Sequence, residues 1–329
     1  MPTASPARFH AQRIAAIALA VAALACAAPV RAGEDIVLTP KRVSEHVWFF
    51  QGESGAASAA NRGFMSNAGF VVTADGVVAF DALGTPALGR AMIGAIGKVT
   101  KAPIRRVIVS HYHADHIYGL QEFRGVGAQI WAHRNAEIYL ASDLAVSRLA
   151  QRRAELSSWI DANTRVVPPD FWLDGDTAFR LGGLTFQLMY SGGAHSPEDT
   201  LMYVVEDRVL FAGDLIFAGR IPFVGTSDSR GWLKAMGRMI SVKPAIVIPG
   251  HGSASTDVER DLVMTRDYLV YLRETMGRAA KEFQPFEEAY AQTDWSRFAA
   301  LPAFAAANRI NAYGTYLRME QEELQNAKE

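Results

Sequence analysis

"SHYHADHIYG", residues Ser110–Gly119, places three histidines and an aspartate within the six positions His111 to His116 of a 329-residue chain that has only 8 histidines. Packing a core does not reward such clustering. The preceding run "RRVIVS" reads as a short buried strand ending at Ser110, so the histidines fall on the loop beyond a strand's carboxyl end, where binding groups commonly sit. Side chains two apart in an extended segment point the same way, so His111 and His113 can grip one ion together. Asp115 and His116, being adjacent, diverge where the chain turns into the next helix and can face a second ion.

The rest of the composition narrows the setting. Half the residues are hydrophobic, enough for a large core. Lys and Arg total 33 against 34 Asp and Glu, for a net charge of -1, and no block of one sign suggests a nucleic-acid partner. Arg8 and Arg13 precede the apolar run Ile14–Ala25, and Val30-Arg31-Ala32 offers the small residues a signal peptidase reads, so residues 1–32 are expected to be an export signal and the mature chain to begin at Gly33. The run is too short for a typical membrane span. Cys26, the only cysteine, sits in "ALAC", a weak lipoprotein box without leucine three positions upstream. If it leaves with the signal, any metal must be held by nitrogen and oxygen. A periplasmic protein with no stable membrane insertion is expected.

Along the chain, "EHVWFF", "NAGFVV" and "GVVAF" read as strands, the last delivering Asp81 at its end. Between the first two, "GESGAASAANRG" from Gly52 to Gly63 reads as a small-residue flap. A helix is expected from Pro86 to about Val99, and the stretch from His133 to Ile160 reads as long and helical. "TAFRL", "LTFQLMYS", "LMYVVE" and "RVLFAG" are further strands, and "PAIVIPGHG" repeats the device of an apolar strand delivering a histidine, His251. Val258, Leu262, Leu269, Leu272, Met276, Ala280 and Phe283 mark an amphipathic helix, and Ile310, Tyr313 and Leu317 mark another, both expected to be core-facing.

Two ions still need more ligands. His195, in "SGGAHSPEDT", and His251 follow strands in turn-rich surroundings, and Asp214, in "LFAGDLIF", ends an apolar strand; His46 and His133 are expected to be ordinary hydrogen-bonded histidines. The order Asp81, His111-x-His113-x-Asp115-His116, His195, Asp214 and His251 resembles the metallo-β-lactamase-fold hydrolases. That resemblance implies an α+β, four-layer αββα sandwich over residues 33–255, with residues 256–329 a helical extension packed on it. It implies that His111, His113 and His195 hold one metal, that Asp115, His116 and His251 hold the other, and that Asp214 bridges them. Asp81 would orient the histidine loop from behind. Aspartate at position 214 is more like the glyoxalase, lactonase, sulfatase and phosphodiesterase branches than β-lactamases with cysteine or serine there. Tyr118-Gly119 replaces the two glycines that relatives often carry after the histidine run.

"GDLIFAGRIPFVG" and "LPAFAAANRINAYGTYL" are similar to exported zinc metallohydrolases associated with quinoprotein and sulfur-oxidation systems. The expected activity is hydrolysis of an ester, thioester, lactone or β-lactam-type bond in a small molecule. Asp115 and Asp214 would dominate the chemistry, Arg220 is a candidate to hold a substrate carboxylate or sulfate, and the cofactors would be two zinc ions, with iron or manganese as alternatives. The rival expectation is a non-catalytic metal-binding accessory protein of an exported redox system.

Overall fold

The computed structural model describes residues 36–326; the export-signal and Cys26 readings lie outside them. The described residues form one compact unit. In chain order its elements are β1 (Lys41–Arg42), β2 (Val47–Phe50), β3 (Ala68–Thr73), β4 (Gly76–Phe80), α1 (Pro86–Val99), β5 (Ile104–Ile108), α2 (Ala114–Ile117), α3 (Leu120–Gly125), β6 (Gln129–His133), α4 (Ala136–Leu140), α5 (Asp143–Glu155) and β7 (Phe171–Leu173). They continue as β8 (Thr177–Leu181), β9 (Leu184–Tyr190), β10 (Thr200–Val204), β11 (Val209–Phe217), α6 (Ser229–Ser241), β12 (Ile246–His251), α7 (Val258–Lys281), α8 (Phe286–Gln292) and α9 (Phe304–Asn326).

The strands form a seven-stranded sheet, β1 to β7 in sequence order, and a five-stranded sheet ordered β12-β11-β10-β9-β8. Successive strand residues point to opposite faces, and here both faces are apolar. On β4, Val77 and Ala79 enter a core shared with the α1 residues Leu88 and Met92, whereas Val78 and Phe80 enter the core between the sheets. On β11, Val209 and Phe211 meet them from the other side, and Leu210 and Ala212 face a third core containing Trp232 and Leu269. Three apolar interfaces make four layers, so the α+β αββα sandwich with C-terminal helices is the fold.

Strand direction then gathers the chemistry. β4 and β5 run parallel, as do β11 and β12. The carboxyl ends of β4, β5 and β12 therefore carry Asp81, the Ser110–His116 loop and His251 to the same edge of the sandwich. Asp214 does not end its strand as expected but lies within β11, where the pairing with β12 shifts register around Gly213.

Helix α1 spans the expected residues because Thr85 Oγ1 accepts from Leu88 N at 3.1 Å and Pro86 occupies the first turn, where its missing N–H costs nothing. Three expectations need correction. The stretch from His133 is not one long helix: His133 ends β6, and α4 and α5 are separated at Ala141–Ser142. The signal was masked because β6 buries Ile130 and Ala132 on one face and Trp131 on the other, a continuous apolar run without alternation. On α7, Leu262, Leu269, Leu272, Met276 and Ala280 are buried, but Phe283 lies past the helix end in a left-handed conformation, 91% exposed.

The third correction is on α9. Ile310, Tyr313 and Leu317 are 54%, 49% and 37% exposed, while Asn308, Asn311, Ala312 and Thr315 are buried. The helix is rotated so that its polar and small face meets the core. The reason is hydrogen bonding: Asn311 Oδ1 accepts from Val224 N (2.8 Å) and Gly225 N (3.1 Å), and its Nδ2 donates to Pro222 O (2.7 Å) and Tyr268 Oη (3.0 Å). One amide thus satisfies an otherwise unpaired loop.

The Gly52–Gly63 segment is a loop knitted to itself through Asn61, whose Oδ1 accepts from Ser58 N at 2.9 Å and Gly63 N at 3.0 Å.

Candidate metal centre

All seven expected ligands converge. His111, His113, His195 and Asp214 form one group and Asp115, His116 and His251 a second, the ligand atoms in each lying within 4.8 Å of one another. Asp214 sits between the groups: its Oδ2 is 3.5 Å from His195 Nε2, 3.8 Å from His111 Nε2 and 3.3 Å from His251 Nε2, and its Oδ1 is 3.2 Å from His116 Nε2. Asp115 Oδ2 lies 3.3 Å from His251 Nε2 and 3.5 Å from His116 Nε2.

The Nδ1 atoms of His111, His116 and His251 are anchored from behind. Asp81 accepts from Ser110 N at 2.7 Å and Ser110 Oγ at 2.8 Å, and its Oδ2 is 2.9 Å from His116 Nδ1. Ser110 Oγ is 2.9 Å from His111 Nδ1, and His251 Nδ1 donates to Met65 O at 2.7 Å. These partners fix the tautomers that turn Nε2 of His111, His116 and His251 inward. Asp81 itself is held in the left-handed region at φ 60°, a backbone cost of the kind accepted where a side chain must be aimed. Glu198, which no sequence pattern singles out, accepts from Tyr112 N at 2.9 Å and so clamps the backbone between His111 and His113. Gly250 is required here, because a Cβ would stand 2.0 Å from Asp214 Oδ1.

The donor set suits a cation. His111 Nε2, His116 Nε2 and Asp214 Oδ1 are buried without a hydrogen-bond partner, a cost that proteins avoid unless something else takes the lone pairs. His113 Nδ1 and His195 Nε2 approach to 2.8 Å, as two nitrogens aimed at one ion do. Burial holds His113 down at about 3 and His195 at about 4, and pushes His111 well below the usual imidazole range, so these three are neutral ligands at neutral pH. Burial opposes charge on Asp115 and Asp214 as well, yet the facing His116 and His251 hold both carboxyls well below their ordinary value. Burial likewise disfavours charge on His116, but Asp214, Asp115 and Asp81 raise its pKa well above the ordinary value.

Above this floor opens a cavity of about 350 Å³, lined by His113, Asp115, Asp214, His251, Arg220 and Phe223 among others. A neighbouring cavity of about 430 Å³ adjoins His113 and His195. Arg220 is only 3% exposed; it donates to Gly55 O at 3.2 Å, and its Nε is buried without a partner. Histidines expected to be ordinary are so: His46 pairs with Asp207 at 2.8 Å, and His133 stacks on Tyr190 with centroids 3.8 Å apart. Tyr118, where relatives often have glycine, is fully buried in the α1-side core.

A two-sheet sandwich with a histidine and aspartate cluster at its strand ends defines a class of metal-binding proteins. The chain belongs to the metallo-beta-lactamase superfamily, whose family model matches residues 61–251. That superfamily consists of metal-dependent hydrolases, usually of zinc. The chain is 22% identical over 226 residues to a linear primary-alkylsulfatase of Pseudomonas sp. (57% of this chain, 42% of that protein). It is 23% identical over 212 residues to a type 2 metallo-beta-lactamase of Elizabethkingia meningoseptica (62% and 77%). Among solved structures, the sec-alkylsulfatase Pisa1 from Pseudomonas sp. shares the fold with a TM-score of 0.67 at 16% identity, over 85% of this chain and 50% of that one. A metallo-beta-lactamase from Pontibacter korlensis superposes with a TM-score of 0.56 at 21% identity, over 71% and 99%. The chain thus spans about half or less of the alkylsulfatases' length.

Proposed function

We propose that the protein is an exported hydrolase with two zinc ions that cleaves an ester, thioester, lactone or β-lactam-type bond in a small molecule. The observation that carries this reading is Asp214 standing between two complete ligand groups on the floor of an open cavity. Five imidazoles and two carboxylates without a thiolate suit zinc, with iron or manganese as alternatives. Bound there, the ions would supply Lewis acidity and an activated water at neutral pH. His111, His113 and His195 offer neutral nitrogens to one position, Asp115, His116 and His251 serve the other, and Asp214 fixes their separation. Arg220 presents a guanidinium to an anionic part of the substrate. Phe223 and Phe217 add apolar surface to the cavity wall.

Export to the periplasm through cleavage before Gly33, and kinship with exported metallohydrolases associated with quinoprotein and sulfur-oxidation systems, complete the proposal. They rest on the signal-like N-terminus and on the motifs around Asp214.

The test joins elemental analysis to a panel of chromogenic esters, thioesters, lactones and β-lactams, with metal-stripped protein as control. Two zinc per chain and metal-dependent turnover are expected. His111→Ala or His195→Ala should empty mainly one position, and His116→Ala or His251→Ala the other. Metal counts staying near two in all four variants would overturn the ligand assignment. Metal-loaded protein that turns over nothing on the panel would favour the accessory-protein reading. N-terminal sequencing of periplasmic material checks Gly33 as the first residue.

A further inference from the structure

The exposed stripe on α9 adjoins the cleft. Ile310 lines the same cavity as His113, Asp115, Asp214 and His251, and Leu144 of α5, 53% exposed, lines it as well. Between the metal floor and Ile310, the cavity wall is Ala303, just before α9, and Ala306 and Ala307 on the helix itself. The small side chains leave a trough that leads from the ligands to an apolar rim, and Leu317 continues the row two turns further along the helix. A single exposed leucine needs no explanation. An apolar row continuous with a cavity does, and here the row is outward because Asn311 commits the opposite face of α9 to the Pro222–Gly225 loop.

We propose that this rim, Ile310 and Leu144 with the alanine trough beneath, holds the aliphatic chain of the substrate, so that the site acts on amphiphilic molecules whose polar head reaches the ligand cluster. The proposal rests on the hydrolase reading for its reaction but not for its binding. Continuity of the rim with the cavity selects the occupant: Ile310 and Leu144 line the same cavity as the ligands, with Arg148, Gln151, Arg152 and Glu155 of α5 forming its polar side. Ile310 and Leu144 determine specificity; they leave the chemistry to others.

The experiment measures binding of hexanoate and decanoate to zinc-loaded protein by calorimetry, beside kcat/KM for their p-nitrophenyl esters. Decanoate is expected to bind at least about tenfold more tightly than hexanoate, less than four fully buried methylenes would give because the rim is half open. In Ile310→Asp and Leu144→Asp, whose exposure leaves the fold unstrained, that ratio should drop below about threefold with hexanoate affinity unchanged. Ile240→Asp, on an exposed position outside both cavities, should leave the ratio as it was. Equal affinity for the two acids, or a ratio untouched by both rim substitutions, overturns the inference even if every ester is hydrolysed. A chain-length preference that Ile310→Asp abolishes, in a protein that hydrolyses neither ester, supports the rim and counts against esterase chemistry alone. Sedimentation showing a dimer that Ile310→Asp splits would make the stripe an interface between copies and would also overturn it.

Discussion

At the scale of single residues, the centre depends as much on what stands behind the ligands as on the ligands. Asp81 accepts three hydrogen bonds, two from Ser110 and one from His116. Asp81→Asn keeps the shape but turns an amide toward an imidazole N–H or takes an acceptor from Ser110. Either choice leaves a buried donor facing a donor. The variant should fold normally and lose about 10–100-fold in metal affinity at the Asp115, His116 and His251 position, measured by competition with a chelator. Asp214 spans both groups, so its loss should disturb both. Asp214→Ala is expected to lower kcat by at least about a hundredfold beyond any change in KM. Near-normal turnover by a fully metallated Asp214→Ala protein would remove the bridging role.

The element that most changes the picture is α9. Its buried face is amide and small side chains, and Asn311 spends both lone pairs and both N–H groups on neighbours. Replacing it with leucine would leave two loop N–H groups and a carbonyl without partners in a buried place. At about 1–3 kcal/mol for each such group, Asn311→Leu should destabilise the protein by about 3 kcal/mol or more, read by denaturant unfolding. Asn311→Asp keeps the acceptors for Val224 and Gly225 and should cost less. The same loop carries Arg220 and Phe223 at the cavity, so KM should rise in Asn311→Asp more than kcat falls. Helix α9 is therefore part of the wall of the cavity above the ligand cluster.

At the scale of the whole molecule, Asp207 ties the first strands to the second sheet. In the β10–β11 turn, it accepts from Ser44 Oγ, from His46 N at 2.9 Å and from His46 Nδ1 at 2.8 Å, across 161 residues or more of sequence. Burial alone would raise its pKa; the hydrogen bonds from Ser44 and His46 outweigh it and hold the carboxyl below its ordinary 3.8. A carboxyl lower in the folded than in the unfolded chain binds fewer protons when folded. Its stabilisation is therefore complete above about 3.8 and fades as pH falls through the lower folded value. Asp207→Asn should melt at a lower temperature than wild type near neutrality, with the gap closing as pH drops below that value. A gap independent of pH in thermal melts of metal-free protein would show that Asp207 acts by shape alone.

What the sequence determined by itself is local. A run such as His111-x-His113-x-Asp115-His116 carries its geometry in its spacing, because backbone period decides which neighbours point together. The strand ends at Asp81 and His251 and the span of α1 were legible for the same reason: apolar runs, a cap and a turn are short-range signals. Tertiary structure decided what short-range pattern cannot encode. β6 was hidden because a strand buried on both faces loses its alternation. Ser110, Asn67 and Glu198 gave no sign of their roles, since each acts on backbone or rings brought close by folding; Asn67 Nδ2, for instance, donates to Pro249 O, 182 residues away, at 2.8 Å. The rotation of α9 went against its own apolar periodicity, because loop groups buried 85 or more residues earlier in the chain needed Asn311, and an unpaired buried N–H costs more than an exposed isoleucine.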